Sequence, residues 1–69
     1  MTSTHLRRLL RRLNCAEVRQ RESHLRVRCG RCFTTVPIHQ GEEIPRGTLR
    51  AIVRDLEHCL GKDWIERNE

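Results

Sequence analysis

Aromatic side chains are almost absent from this sequence: one phenylalanine, Phe33, one tryptophan, Trp64, and no tyrosine in 69 residues. A core built on stacked rings is therefore excluded, and aliphatic stripes must supply most of the burial. Lysine is as scarce, with Lys62 the single one beside thirteen arginines. No apolar run approaches the ~20 residues of a membrane span, and the N-terminus lacks the apolar centre of a signal peptide. These absences point to the cytoplasm and away from a membrane, so Cys15, Cys29, Cys32 and Cys59 are expected as reduced thiols. There is no internal repeat and no low-complexity linker, and a chain of this length makes one domain, residues 1–69. Such a domain buries only roughly 60% of the surface its unfolded chain exposes.

Acidic residues are scarce in one half only. Met1 to Gln40 holds nine arginines against Glu17 and Glu22, whereas Gly41 to Glu69 holds five basic and seven acidic residues. The basic half is the ligand half. Arginine's planar fork of donors matches phosphate oxygens better than the point charge of lysine, and such a field favours nucleic acid or an acidic protein.

Thr2-Ser3-Thr4 offers N-cap hydroxyls, and Leu6, Leu9, Leu10 and Leu13 then recur at the spacing of one helical face. Arg7, Arg8, Arg11 and Arg12 occupy the opposite face, and Asn14 suits the left-handed residue that ends a helix. Ala16 to Arg21 sets Ala16 and Val18 against Glu17, Arg19 and Arg21, the alternation of a half-buried strand. After a break at Glu22-Ser23, His24 to Arg28 alternates again: Leu25 and Val27 on one face, His24, Arg26 and Arg28 on the other. Cys29-Gly30-Arg31-Cys32 places glycine where a tight hairpin wants it, and Phe33 to Val36 is a third strand closed by Pro37. Ile38 to Gly47 reads as a loop. Thr48 is the expected N-cap of a second helix, striped by Leu49, Ile52, Val53, Leu56 and Leu60 and stopped by Gly61. The tail folds Trp64 and Ile65 back on the core. The order α-β-β-β-α defines an α+β fold, a three-stranded antiparallel sheet with two helices on one face and the other face open.

His24 lies at the mouth of a hairpin between Arg19 and Arg21 on one side and Arg26 and Arg28 on the other. An imidazole is the side chain best suited to move protons near neutral pH. Arginines around it would hold phosphate without reading sequence. The rival signal is the C-x-x-C pair, Cys29 and Cys32, which opens many zinc knuckles; a second knuckle is missing and the other two cysteines lack ligand spacing.

The leading helix ending at Leu13, Val18-Arg19-Gln20 running into Ser23-His24, Val36-Pro37-Ile38-His39, and Pro45-Arg46-Gly47-Thr48-Leu49 with Ile52 together resemble the HicA family of small toxins from bacterial toxin–antitoxin pairs. The resemblance covers Leu6 to about Leu60. It implies a double-stranded-RNA-binding-like fold, ribonuclease action on mRNA, and neutralisation by a HicB-like antitoxin; a single histidine among arginines suffices for cleavage without a metal, and the basic sheet face with His24 is the surface expected to be covered by the antitoxin. His24 matches the family's catalytic histidine, and Arg19, Arg21, Ser23, Arg26, Arg28 and His39 are the expected RNA contacts; no cofactor or metal is implied. His39 is also the candidate for a second proton carrier. One position departs: the family's glycine before the Ser-His pair is here Glu22, which takes positive φ less cheaply than glycine. The alternative reading is therefore a non-catalytic RNA-binding or antitoxin-binding module with a degenerate site.

Overall fold

A computed structural model describes all residues from Met1 to Glu69. Thr2 caps α1 (Ser3–Arg12), its Oγ1 accepting from the His5 amide at 3.2 Å. The helix ends as expected: Asn14 takes φ 66°, and the Asn14 and Cys15 amides donate to the Arg11 and Leu10 carbonyls, each at 3.0 Å. Those two bonds form a Schellman motif, which satisfies carbonyls that a helix end would leave orphaned.

Strands β1 (Ala16–Arg21), β2 (His24–Cys29) and β3 (Cys32–Pro37) form an antiparallel meander in that order. β2 alternates strictly, with Leu25, Val27 and Cys29 buried and His24, Arg26 and Arg28 exposed. Gly30, at φ 63°, opens the two-residue turn into β3, and that turn pairs Cys29 with Cys32. α2 (Arg46–Leu60) follows, then the five-residue α3 (Trp64–Asn68). α1 and α2 bring Leu6, Leu9, Leu10, Ile52 and Leu56 to the inner face of the sheet, where they join Leu25, Val27 and Val36 in one buried cluster. Trp64 is fully buried, and its indole N–H donates to the Val53 carbonyl at 3.1 Å, which pins the tail to α2. Thr34, the inward polar residue of β3, is satisfied by donating to Asp55 of α2 at 2.9 Å.

Three expectations are corrected. α2 is capped three residues earlier than expected, with Pro45 in place of Thr48 at the N-cap and no side-chain cap; proline's fixed φ and missing N–H suit a helix start. β1 is exposed along its whole length instead of half-buried, because it is an edge strand that α1 meets only through the polar contacts of Arg7 and Arg11 with Glu17. The cysteines are not free thiols: Cys15 bonds Cys29 and Cys32 bonds Cys59. Both pairs join elements distant in sequence, which residue spacing does not reveal. Disulfides persist in oxidising surroundings, which runs against the compartment inferred from the absent membrane span.

The charge of α1 is also partly spent inside the fold. Arg7 grips Glu17 of β1 through Nε and Nη2 at 2.8 and 2.9 Å, with Arg11 at 3.7 Å. The hydrogen bonds from Arg7, aided by the cations' charge, hold the Glu17 carboxyl below the usual glutamate range, while its partial burial opposes them. A carboxyl with a depressed folded-state pKa contributes stability above its unfolded value and loses it as pH falls through the folded one. A Glu17→Gln variant is therefore expected to flatten the acid side of the stability profile, below the ordinary glutamate range. Urea midpoints across that range check this; an unchanged profile would show the pair to be inert.

Candidate functional site on the open sheet face

The outer face of the sheet is assembled by register. Residues directly opposite on antiparallel strands share a face. Arg21 pairs with His24, Arg19 with Arg26, Arg28 with Phe33, and Arg26 with Thr35. Strict alternation along β1 would have put Glu17, Arg19 and Arg21 together. A bulge between Glu17 and Arg19 breaks the alternation. Glu17 stays on the helix side with Arg7, and Arg19 and Arg21 turn outward beside His24. One extra residue in a strand thus decides which charges face solvent together.

Those charges have no carboxylate partners. The three salt bridges join the N-terminus to Glu43, and Arg7 and Arg11 to Glu17, so Arg19, Arg21, Arg26 and Arg28 are unneutralised. Like charges directly opposite, as in Arg19 and Arg26, are destabilising, a cost that an anionic ligand would offset. Arg26 is held in place: its Nη1 donates to Thr35 Oγ1 at 3.0 Å, and its guanidinium carbon lies 5.3 Å from the centre of the Phe33 ring. Arg28 reaches back toward the Gly30 carbonyl at 3.5 Å.

His24 opens β2 at the end of this face, exposed, between Arg21 and Pro37 on the neighbouring strands. The turn that presents it is Glu22-Ser23. Glu22 takes φ 55°, the conformation for which glycine is the easier residue. The turn is braced from both sides, with the Gln20 side-chain Nε2 donating to the Glu22 carbonyl at 3.2 Å and the Ile38 backbone N–H to the Ser23 carbonyl at 2.7 Å. The geometry a glycine would supply is therefore kept. A Glu22→Gly variant is expected to retain the fold, whereas Glu22→Val, whose branched side chain clashes in this region, should lose about 1–2 kcal/mol. Chemical denaturation of the two variants distinguishes them, and equal stability would mean that the turn relaxes freely.

Ser23 is half-buried beside His24. His39 is not on the sheet face; it follows Ile38 into the loop and lines a small cleft with Ser3, Pro37, Glu42 and Glu43. Expected contacts Arg19, Arg21, Arg26 and Arg28 are thus brought together with His24, with Ser23 adjoining and His39 set to one side. Sequence reasoning missed Val18, Phe33 and Thr35. The signal for Phe33 and Thr35 was available, since the two-residue turn at Gly30-Arg31 fixes the pairing of Arg28 with Phe33. Cys29 and Cys32, bonded to Cys15 and Cys59, present no free thiolate pair.

The chain is thus an α+β domain with helices behind an antiparallel sheet, whose open face carries unneutralised arginines and, at the start of its central strand, a histidine. The family model described as HicA toxin of bacterial toxin-antitoxin matches residues 3–57. The chain belongs to the HicA toxin family, and a toxin of such a pair has an antitoxin as its partner. No curated protein and no solved structure matches the chain.

Proposed function

We propose that this toxin is a metal-independent endoribonuclease that cleaves mRNA in the cytoplasm and is silenced by a HicB-like antitoxin lying over the same sheet face. The observation that supports this most is the row of four unneutralised arginines that runs along the open sheet face from His24. Cleavage of RNA without a metal needs three things: a proton taken from the ribose 2′-hydroxyl, charge stabilised on the phosphorane, and a proton given to the leaving 5′-oxygen. His24 serves one of the proton steps, worth typically 10²–10⁴-fold. Guanidinium groups of Arg21 and Arg26, on either side of it, supply the electrostatic part. Arg19 and Arg28 extend the track for the backbone on either strand, Ser23 contacts RNA at the mouth of the turn, and His39, in the loop to one side of the face, meets RNA that continues past that end. The intact, braced turn at Glu22 favours this reading over a degenerate binding module.

Induced expression should arrest growth and fragment mRNA, and co-expression of the antitoxin should reverse both. In vitro, binding to a single-stranded oligonucleotide should weaken with salt with a slope of about −0.7 per phosphate neutralised. Arg19→Gln and Arg28→Gln should each lower that slope by about 0.7 without changing the fold. Growth arrest without RNA fragmentation, or a slope indifferent to both substitutions, would refute the reading.

A further inference from the structure

The chain exposes only two large apolar side chains, Val18 at 51% and Phe33 at 42%. Both line one shallow depression of about 400 Å³ on the open sheet face, and the other two lining residues are Arg19 and Arg26. A fold this short of apolar residues would be expected to bury them; here the β1 bulge and the parity of β3 turn them outward to the same spot. We propose that this depression is a nucleobase subsite, in which an unpaired base of the RNA stacks on the Phe33–Arg26 platform while Arg19 holds the adjoining phosphate.

The proposal rests on the ribonuclease reading and adds to it the form of the substrate. Aromatic rings and guanidinium planes are the two side-chain surfaces on which unpaired bases stack, and they are adjacent here, with Thr35 fixing the guanidinium over the ring. The depression is broad and unroofed, which suits a flat group better than a branched aliphatic one, and its polar rim is entirely cationic. That charge favours a nucleic-acid strand. Phe33 faces Arg28, four residues along β3 from the Pro37 that faces His24. At about 3.4 Å per residue the platform lies roughly 13 Å from the catalytic end, within reach of the same short strand. Paired bases in an A-form duplex offer no free face to such a platform. The subsite therefore selects single-stranded segments and sets which phosphate lies over His24.

The test uses the full chain carrying His24→Ala, so that RNA is bound and not consumed. Fluorescence anisotropy at one fixed salt concentration compares a labelled single-stranded oligonucleotide, the same oligonucleotide with abasic positions, and a hairpin duplex. The intact strand should bind about tenfold more tightly than the abasic one or the duplex. Phe33→Ala should lose about that factor for the intact strand and nothing for the abasic one. Phe33→Leu should not restore it, and Phe33→Trp should, with its new indole fluorescence quenched by the strand; Trp64, being buried, stays silent. Circular dichroism confirms that each variant is folded. If Phe33→Ala binds the intact strand as its parent does, the subsite is refuted while cleavage by the unmodified toxin, assayed alongside, still stands. If the unmodified toxin neither binds nor cleaves RNA, both readings fall. Loss of antitoxin affinity in Phe33→Ala with RNA affinity unchanged would make the depression a protein contact and overturn the proposal.

Discussion

His24→Ala is expected to bind single-stranded RNA within a fewfold of the unmodified toxin and to cleave it about 10²–10⁴-fold more slowly. The two effects should separate because, in the proposed mechanism, the arginines would hold phosphate by charge from neighbouring strands, whereas His24 is the one imidazole that the register places on their face. Exposed at the start of β2, it bears little of the core's packing, so its removal should leave stability nearly unchanged. Single-turnover cleavage and anisotropy on the same preparation supply both numbers. The chemistry offers a second check. If the 2′-hydroxyl is the nucleophile, cleavage leaves a 2′,3′-cyclic phosphate and a 5′-hydroxyl, and a 2′-deoxy substitution at the cleaved position blocks the reaction without weakening binding. A His24→Ala protein that still cleaves, or an unmodified toxin that cuts the 2′-deoxy strand, would remove His24 from this role.

The second large effect concerns the disulfides. Cys15–Cys29 spans 14 residues of chain and Cys32–Cys59 spans 27. In the chain-entropy account these loops correspond to about 3 and 3.5 kcal/mol, a large share of what a domain of this size can have. Reduction of either bond should lower the melting temperature by about 12–28 °C, and reduction of both should leave little folded protein at 37 °C. Thermal melts with and without a phosphine reductant measure this, and peptide mapping of alkylated protein checks the pairing. An unchanged melt would show that the twelve buried apolar residues of the core suffice alone. In a reducing cytoplasm both bonds open. A toxin acting there would rest on that core and on whatever covers it, and would be shorter-lived when free than when bound.

The elements with a complete local signal were legible in the sequence. α1 carried its stripe, its threonine cap and its terminal asparagine; β2 carried strict alternation; α2 carried its stripe and Gly61. The errors fall where distant parts of the chain decide the outcome. Nothing local to Ala16–Arg21 says that this strand lies at the sheet's edge with no apolar cover, or that a bulge reverses the sense of its alternation after Glu17. Nothing in the spacing of four cysteines says which pairs the fold brings together. The start of α2 was misread because Thr48 is the better capping side chain, whereas Pro45 has the better backbone. On the candidate site, the arginines were legible as a cluster because β2 alternates. Val18 and Phe33 were not, because their shared position depends on the bulge and on the register of two strand pairs.

That bulge has a bearing on self-association. An edge strand with free N–H and C=O groups is a template on which another copy can add, the first step towards fibrils. β1 is such an edge, exposed from end to end. Its bulge interrupts the regular spacing of those groups, and Arg19 and Arg21 repel the equally basic strand of an approaching copy. The residue that tilts the arginines outward therefore also makes β1 a poor template for a further strand.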